Sequence, residues 1–381
     1  MKNNPIIKVG VDARILSRPL TGIGRYTLEM CHVLCSINNI SLFLYSPAPI
    51  LNEYIPSLEG ANIRTKNFSS GISRQIWGES LLPFWSSQDD VDVFWGPAHR
   101  LPLLLSRKIA RTVTIHDLVW KFAPQTMRPM SKLLEQLQMP RAVLSADIII
   151  ADSQSTALAV IDEFNVKSER VTTITLGANP MPVTKDMTLS ELNINTPYIL
   201  FVGTLEPRKN LLSLLKAYAN LPEAVKAQAL LVISGGKGWG GIQLKNIITS
   251  LKLEKHIRLT GYVEESALNT LYANALFLAM PSLYEGFGLP LVEAMSHGKP
   301  VLTSNNSSMP EVTGDAGLLV DAEDVNSISD GLNQLITNDD LRNKLASNAK
   351  KNAARFSWTK SANALALVFE QAISIKKAHA I

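Results

Sequence analysis

The stretch Ala275-Leu-Phe-Leu-Ala-Met-Pro-Ser-Leu-Tyr-Glu-Gly-Phe-Gly-Leu-Pro-Leu-Val-Glu-Ala-Met295 joins a short apolar run to a loop with two glycines and then to a second apolar segment. Pro290 suits the first turn of a helix, where the missing N–H of proline costs nothing. The stretch therefore predicts a strand at 275–280, a glycine-containing loop, and a helix whose first N–H groups are free. Such a helix end favours an anionic ligand such as a phosphate or diphosphate.

Similar apolar runs alternate with helical patterns along the whole chain. Uninterrupted runs, such as Ile-Ile-Ile at 148–150 and Leu-Leu-Val-Ile at 230–233, are typical of strands that helices cover on both faces. The alternation predicts βαβ units and a doubly wound α/β fold. Besides 275–280, the predicted strands are 6–11, 41–46, 91–95, 111–116, 147–151, 170–175, 198–202, 229–234, 257–260, 300–303 and 317–320.

A break in the middle of the chain divides these strands into two sets. A length of 381 residues is enough for two or three domains, and Gly-Ala-Asn-Pro-Met-Pro at 177–182, followed by a polar stretch, ends the first set. We predict one α/β domain at 1–184, a second at 185–358, and a C-terminal helix at 359–381 that packs back on the first. Because ligands of open α/β sheets bind outside the carboxyl ends of the strands, we expect the active site in a cleft between facing domains.

Composition excludes several classes of protein. Hydrophobic residues make up 46% and charged residues 18% of the chain, which favours folded cores over disorder. A net charge of +4 is too small for a protein that coats nucleic acid. The two cysteines, Cys31 and Cys35, exclude a disulfide framework or a four-cysteine zinc site. Since neither a membrane-spanning stretch nor a signal-peptide pattern occurs, the sequence predicts a soluble cytoplasmic protein.

Two clusters in the second half carry the clearest chemistry. In Phe201-Val-Gly-Thr-Leu-Glu-Pro-Arg-Lys-Asn210 the cations Arg208 and Lys209 follow a strand, and Asn210 suits the N-cap of the next helix. Two cations at the carboxyl end of a strand suit a diphosphate, although a solvated basic pair is an equally good interpretation. In the 275–295 stretch, Glu285 and Glu293 suit the hydroxyls of a sugar and a ribose. A helix cap and a solvated glutamate are the alternative.

The first half contributes weaker candidates. Gly22 and Gly24 form a glycine loop before a helix, which permits close approach of a charged ligand or is simply a tight turn. His116 closes the strand at 111–116 and either donates to a sugar hydroxyl, moves a proton, or caps the next segment. Residues 100–141 hold eight basic and two acidic residues. This local excess of positive charge predicts either a solvated helical face or docking to an anionic membrane surface or an acidic acceptor.

Two familiar patterns are set aside. Gly236-Lys-Gly-Trp-Gly-Gly241 matches the dinucleotide-binding pattern but follows the second strand of its half, so we interpret it as a mobile glycine turn. Asp90-Val-Asp92 leads into a strand at its amino end, so we interpret it as a solvated turn. The chain shows no convincing spacing of metal ligands.

The segment from Glu285 to Glu293 resembles the E-x7-E motif of the retaining glycosyltransferases of family four, which have the GT-B architecture of two Rossmann-like domains facing across a cleft. Further phrases fall in the order found in that family: Asp12-Ala-Arg14, Thr21-Gly-Ile-Gly24, His116-Asp117, Gly203-Thr-Leu-Glu-Pro-Arg-Lys-Asn210, Gly261-Tyr-Val263 and Phe356-Ser-Trp358. The resemblance covers nearly the whole chain. It is strongest to bacterial mannosyltransferases that build polymannose O-antigens from GDP-mannose.

The resemblance implies a role for each candidate residue. The N-terminal domain binds the acceptor and the C-terminal domain binds the nucleotide sugar. His116, Glu285, Arg208 and Lys209 are implied as the catalytic residues. The implied donor-binding residues are Gly22, Gly24, Gly203, Thr204, Arg208, Lys209, Tyr262, Val263, Glu285, Gly286, Phe287, Gly288, Leu289 and Glu293, and Thr204 stands where many members carry arginine.

The implied function is transfer of mannose from GDP-mannose to a lipid-linked oligosaccharide, without a metal or other cofactor. The implied location is the cytoplasm, with peripheral contact to the inner face of the membrane and no nucleic-acid partner. Transfer from UDP-glucose or UDP-GlcNAc is the first alternative. An NAD-dependent oxidoreductase, a sugar-nucleotide epimerase and a two-lobed binding protein are the others.

Overall fold

Every apolar run predicted as a strand forms one in the computed structural model, which describes residues 5–68, 70–178, 189–236, 238 and 243–379. The observed strands are β1 Ile7–Asp12, β2 Ile40–Ser46, β3 Asn62–Thr65, β4 Val93–Gly96, β5 Ala110–Ile115, β6 Ile148–Ala151, β7 Val171–Thr173, β8 Tyr198–Val202, β9 Leu230–Ser234, β10 Ile257–Gly261, β11 Phe277–Met280, β12 Val301–Ser304 and β13 Gly317–Val320. The strand missed from the sequence is β3. Its sequence, Asn-Ile-Arg-Thr, lacks an apolar run because β3 is a largely exposed edge strand that pairs only with β2.

Helices separate most of the consecutive strands, as expected for βαβ units. They are α1 Gly22–Cys35, α2 Gly71–Glu79, α3 Leu81–Gln88, α4 Val119–Phe122, α5 Pro129–Ser145, α6 Gln154–Phe164, α7 Leu211–Ala219, α8 Glu223–Lys226, α9 Leu244–Ser250, α10 Glu265–Asn274, α11 Leu289–Ser296, α12 Met309–Thr313, α13 Val325–Thr337, α14 Asp339–Ala353 and α15 Trp358–Ala378. Short 3-10 segments join several of them. None of the helices in the described ranges has the length and hydropathy needed to cross a membrane.

The chain divides into two compact units. Unit 1 comprises Met1–Leu118, Leu133–Gly177 and Trp358–Ile381, and unit 2 comprises Val119–Lys132 and Ala178–Ser357. The predicted boundary between residues 184 and 185 lies outside the described residues.

Each unit is built on one parallel sheet. In unit 1 the strand order is β3-β2-β1-β4-β5-β6-β7, and in unit 2 it is β10-β9-β8-β11-β12-β13. Both sheets therefore begin with the order 3-2-1-4-5-6 of a doubly wound Rossmann fold. In such a sheet the connections leave in opposite directions from the first and fourth strands, and the crevice at their carboxyl ends is the usual ligand position. This position lies beyond β1 and β4 in unit 1 and beyond β8 and β11 in unit 2.

The core of unit 2 consists of apolar strand side chains packed under helices. Phe201 of β8, Phe277 of β11 and Leu302 of β12 are fully buried, as are Leu214 of α7 and Leu332 of α13. Burying side chains of this size stabilises a protein by about 1.5–3 kcal/mol each. The strands are thereby held rigidly, which holds the loops at their carboxyl ends in place.

The C-terminal helix α15 is part of unit 1. Its Trp358 lies 6.3 Å from Tyr26 between ring centroids, and its Phe369 lies 6.2 Å from Trp95. Tyr26 and the indole N–H of Trp95 both hydrogen-bond the hydroxyl of Thr114, at 3.1 and 3.0 Å. These polar groups are therefore satisfied within a buried aromatic cluster, as buried hydroxyl and indole groups require.

Candidate active site

The loops that follow β8 and β11 are tied together in unit 2. The backbone N–H of Leu283 donates to the carbonyl of Arg208 at 2.9 Å. The side-chain amide of Asn210 donates to the carbonyl of Pro281 at 3.0 Å and to that of Ala322 at 2.7 Å. Since β8 and β11 are neighbours in the sheet, these contacts place both predicted clusters at the ligand position of the fold.

Arg208, Lys209 and Glu285 form a buried cluster that we call the ion triplet. The Nζ of Lys209 donates to one carboxylate oxygen of Glu285 at 2.7 Å, and Arg208 donates to the other. Arg208 also donates to the carbonyl of Tyr284 at 3.1 Å. Glu285 is only 6% exposed. The three side chains together carry one net positive charge, part of which the partly exposed Glu206, 3.8 Å from Arg208, offsets.

The charges of the ion triplet set its protonation. Burial by itself would raise the pKa of Glu285, but the positive charge of Arg208, followed by that of Lys209, outweighs this and lowers the pKa to about 2. Burial also lowers the pKa of Lys209, against the attraction of Glu285 and with the repulsion of Arg208. Glu285 is therefore an anion at neutral pH and acts as a hydrogen-bond acceptor.

The loop after Glu285 leads into a helix as the sequence predicted. The backbone N–H of Glu285 donates to the hydroxyl of Ser307 at 3.2 Å. The hydroxyl of Ser308 donates to the carbonyls of Glu285 and Phe287 at 3.0 and 3.2 Å. Gly288 is the N-cap of α11, with φ of 96°, and a Cβ there would lie 2.7 Å from the Cε of Met309. Only glycine suits this backbone, and it starts α11 at Leu289.

The side chains around this loop divide between core and surface. Phe287 is buried and packs edge-on against Phe356 at 5.5 Å, so its backbone is what remains for a ligand. Gly286 is also buried. Glu293 is half-buried and accepts a 2.7 Å hydrogen bond from the hydroxyl of Tyr272, which stacks on His297. The sequence offered no signal for this tyrosine, because it lies on another helix, α10.

The structure corrects the prediction for Asn210. It occupies the N-cap position of α7 but has a left-handed backbone, with φ of 57°, and its side chain does not cap the helix. Instead the amide joins the carbonyls of two other loops. The residue type that suits an N-cap also suits a left-handed turn, and here the second use prevails.

The remaining donor-binding candidates of unit 2 lie on two loops. Gly203 follows β8, and its N–H donates to the carbonyl of Ser234 at 3.0 Å, while the next residue, Thr204, is exposed. Tyr262, which follows β10, is 78% exposed, and Val263 beside it is half-buried. The ring of Tyr262 is therefore available to stack against a ligand.

The glycine pattern set aside in the sequence has a packing role. Lys237 and residues 239–242 lie outside the described residues, so the mobility of this turn stays a prediction. A Cβ at Gly235 would lie 1.9 Å from the carbonyl oxygen of Gly203, and one at Gly238 would lie 2.0 Å from that of Leu205. These glycines allow the turn after β9 to pack directly on the loop that carries the ion triplet's cations.

In unit 1 the two candidate glycines are helical. Helix α1 begins at Gly22, so Gly22 and Gly24 form its first turn, and the loop predicted there lies before them. Thr21 is the N-cap but its side chain makes no capping bond. Gly22 is exposed, and a Cβ added there would meet nothing within 4 Å. Space for a ligand therefore remains at this helix end, although no tight turn requires the glycine.

His116 is buried at the carboxyl end of β5 with both ring nitrogens engaged. Its Nδ1 lies 2.5 Å from Asp152, and its Nε2 lies 2.7 Å from the carbonyl oxygen of Pro97. Its backbone N–H donates to the Nε2 of His99 at 2.9 Å. Because the Nε2 of His99 accepts this hydrogen bond, the ring proton of His99 lies on Nδ1. This Nδ1–H donates to Glu135 at 3.2 Å. The sugar contact implied for His116 stays a prediction.

The partners of His116 were not recognised in the sequence. His99 follows β4 and Asp152 follows β6, so both stand at the carboxyl end of a strand, which is the signal that could have found them. Asp92 stands at the amino end of β4, as predicted, where its carboxylate accepts the N–H of Lys8 at 2.9 Å. Across the described ranges, no group of three or more His, Cys, Asp and Glu side chains is arranged to hold a metal ion.

The family model described as glycosyl transferases group 1 matches residues 184–352. O-antigen chain mannosyltransferase B of Escherichia coli is 33% identical over 368 residues, which cover 89% of this chain and 93% of that protein.

Solved structures share the fold at lower identity. HepE of Anabaena, solved in complex with UDP and glucose, matches with a TM-score of 0.75 and 19% identity over 96% of this chain and 100% of that chain. WaaG, a glycosyltransferase involved in lipopolysaccharide biosynthesis, matches with a TM-score of 0.75 and 16% identity over 96% and 99%. These neighbours confirm the predicted GT-B class with its two Rossmann-like sheets.

We expect Glu285→Gln to lower the free energy of unfolding by about 3–5 kcal/mol at pH 7, because it leaves two buried cations without their carboxylate. The pKa of Glu285 is lowered from 4.5 to about 2. Its contribution is therefore complete above pH 4.5 and is lost as the pH falls toward 2. Urea unfolding of wild type and variant between pH 7 and pH 3 should show a difference that shrinks below pH 4.5.

The matched control is Glu206→Gln, because Glu206 lies 3.8 Å from Arg208 on the same loop but is partly exposed. A partly exposed pair of this kind contributes about 0–1 kcal/mol. Equal effects of the two substitutions, or a difference that does not change with pH, would contradict the buried pairing.

We expect Gly235→Ala to lower the midpoint of thermal unfolding by several degrees. The added Cβ would overlap the carbonyl of Gly203, and the φ of +155° at residue 235 is strained for alanine, so a cost of about 1–3 kcal/mol is expected. Gly236→Ala is the control, since a Cβ there meets nothing within 4 Å. Circular dichroism melting curves compare the two, and equal midpoints would refute the close packing.

Proposed function

This chain belongs to the group 1 glycosyl transferase family, and we propose that it transfers mannose from GDP-mannose to a lipid-linked oligosaccharide with retention of anomeric configuration. The observation that carries the proposal is the ion triplet at the ligand position of unit 2. Arg208 and Lys209 are held there by Glu285, next to the loop that begins α11 at Leu289. This combination suits the diphosphate of a nucleotide sugar.

The leaving nucleoside diphosphate determines what the site must do. As the bond between the anomeric carbon and the phosphate oxygen breaks, negative charge grows on the diphosphate. Arg208 and Lys209 are positive before the reaction begins, so they stabilise this charge without reorganisation. The dipole at the start of α11 acts in the same direction, although Pro290 has no N–H and the N–H of Leu291 already donates to the carbonyl of Gly288 at 2.9 Å. We propose that these groups suffice without a metal ion.

Retention is explained by attack from the face that the leaving group occupies. The acceptor oxygen forms the new bond to the anomeric carbon while its proton passes to the departing phosphate oxygen. This path needs no second carboxylate placed for a double displacement. We assign Glu285 to contacts with the transferred sugar, Glu293 to the ribose hydroxyls, and Tyr262 with Val263 to the nucleobase. His116, which belongs to unit 1, is assigned to contact with the transferred sugar.

Mannose is proposed as the transferred sugar because the Escherichia coli relative, matched over most of both chains, is named as an O-antigen chain mannosyltransferase. UDP-glucose and UDP-GlcNAc are the alternative donors. The oxidoreductase alternative loses support because Gly238, within its glycine pattern, and Gly235, just before it, already have a packing role.

A lipid-linked acceptor requires contact with a membrane surface, and we propose helix α5 for this contact. Four of its apolar side chains are exposed: Met130, Leu133, Leu137 and Leu144. At about 100° of rotation about the helix axis per residue, these four span an arc of about 60° and so form one stripe. Arg141, also exposed, lies on the same face. An exposed apolar stripe with a basic residue suits the surface of an anionic bilayer.

We expect the purified protein to transfer mannose from GDP-mannose, and Lys209→Ala to reduce kcat/KM by about 100-fold or more. The assay offers GDP-mannose, GDP-glucose, UDP-glucose and UDP-GlcNAc in the presence and absence of EDTA, with a synthetic lipid-linked oligosaccharide as acceptor. NMR of the product gives the linkage and the anomeric configuration.

Lys216→Ala is the matched control, since Lys216 is exposed on the following helix α7. Turnover of Lys209→Ala at the wild-type rate would overturn the proposed diphosphate site. An inverted product, loss of activity with EDTA, or preference for another donor would each overturn the corresponding part of the proposal.

We expect Leu133→Ser combined with Leu137→Ser to weaken sedimentation with vesicles of phosphatidylglycerol, because two apolar contacts with the bilayer are removed. The control combines Leu158→Ser with Leu367→Ser, two exposed leucines on α6 and α15. Equal sedimentation of both double variants would refute the assignment to α5.

A further inference from the structure

A cavity of about 320 Å³ lies beside the carboxyl ends of β1 and β4 in unit 1. Four arginines and two carboxylates line it: Arg14, Arg18, Arg74, Arg100, Asp12 and Glu135. Arg14 and Arg18 follow β1, and Arg100 follows β4. This cavity, which we call the arginine pocket, therefore occupies the ligand position of the first sheet, as the ion triplet does in the second.

The two carboxylates of the arginine pocket are already engaged. Asp12 accepts the Nε of Arg14 at 2.8 and 2.9 Å and forms an ion pair with the same guanidinium at 2.7 Å. Glu135 accepts from His99 at 3.2 Å. In the part of the chain that the structure describes, Arg18, Arg74 and Arg100 have no carboxylate within ion-pair distance. The arginine pocket thus has an excess of positive charge that attracts an anion.

Arg100 is the arginine whose charge most needs a partner. It is half-buried, and its guanidinium makes no hydrogen bond to any residue that the structure describes. Burial, followed by the like charge of Arg14, lowers the pKa of Arg100 against the weaker attraction of Glu135, Asp12 and Glu79. Arg14 itself is fixed by Asp12 and by the ring of Trp77, 5.1 Å below it. An anion in the arginine pocket would meet a fixed arginine beside one with unused donors, the arrangement that binds phosphate well.

A second cavity of about 200 Å³ adjoins the first and shares Asp12, Arg14, Gln75 and Arg100 with it. Gln138 also lines this second cavity, and its Oε1 is buried without a hydrogen-bond partner among the described residues. This oxygen exposes less than 1 Å² of surface, so it is closed to a hydroxyl in the cavity, and the second cavity offers a saccharide room rather than this contact.

We propose that unit 1 recognises an acceptor saccharide that carries a phosphate or diphosphate group. The anionic group binds Arg18, Arg74 and Arg100 in the arginine pocket, and the saccharide occupies the adjoining cavity. The inference rests on the proposed function, since it specifies the acceptor of that reaction. The phosphate has two possible sources, a lipid diphosphate and a free sugar phosphate.

The test compares acceptors that share one saccharide. Mannobiose is offered as its reducing-end phosphate, as a short-chain lipid diphosphate, and as an uncharged octyl glycoside, with the donor held constant. We expect the phosphorylated forms to have a KM at least about tenfold lower than the octyl glycoside, the effect of one charge-assisted contact. Arg100→Gln should abolish this difference, because it removes the charged contact to the phosphate.

Arg107→Gln is the matched control, because Arg107 is exposed and lines neither cavity. A lower KM for the lipid diphosphate alone assigns the phosphate to a lipid, and a lower KM for both charged forms assigns recognition to the phosphate itself. Equal KM values for the charged and uncharged acceptors, or no effect of Arg100→Gln, would overturn the proposal.

Calorimetric titration with mannobiose phosphate, without any donor, separates this proposal from the proposed function. Binding that is lost in Arg100→Gln and retained in Arg107→Gln supports the arginine pocket even if no nucleotide sugar is consumed. Absence of binding by wild type in a preparation that transfers mannose would overturn the arginine pocket alone.

Discussion

A carboxylate shared by two cations, Glu285 between Arg208 and Lys209, holds the candidate active site of unit 2 together. These residues are 76 and 77 positions apart in the chain, and the parallel pairing of β8 with β11 brings them into contact. Removing three charged groups from water is costly unless each finds a partner. The triplet meets this condition, so the ends of both loops are held where the fold places its ligands.

The same topology operates twice in this chain. Each sheet has its first and fourth strands side by side, and in each unit the charged residues gather just beyond those two strands. The two collections differ in composition. Unit 2 has one carboxylate bound by two cations, whereas the carboxylates of the arginine pocket leave several guanidinium groups without an acidic partner. Similar folds have thus produced two anion-attracting positions of different strength and shape.

Much of this arrangement was predictable because it depends on local sequence. Apolar runs located all strands but β3, and Pro290 with Gly288 marked the start of α11. Strand ends also indicated Arg208, Lys209 and Glu285 as candidates. Their mutual pairing was not predictable, because it depends on contacts between distant segments. Asn210 shows the same limit, since its left-handed backbone and its carbonyl partners are set by tertiary structure.

Residues without a distinctive pattern were missed for a related reason. Tyr272, His99 and Asp152 become significant only through what they touch, namely Glu293 and His116. Gly235 likewise looks like an ordinary loop residue until the carbonyl of Gly203 is placed beside it. Periodicity reports which faces of an element are buried, and it carries no information on which neighbour fills the space.

The occupied carboxylate of the ion triplet also bears on how a product would leave. Glu285 already pairs with Arg208 and Lys209, so under the proposed function an arriving nucleotide would compete with an internal anion and would bind less tightly than to two bare cations. The same competition works in reverse at the end of a cycle. As the nucleoside diphosphate left, Glu285 would pair with both cations again, and the barrier to its release would be lower than from two bare cations.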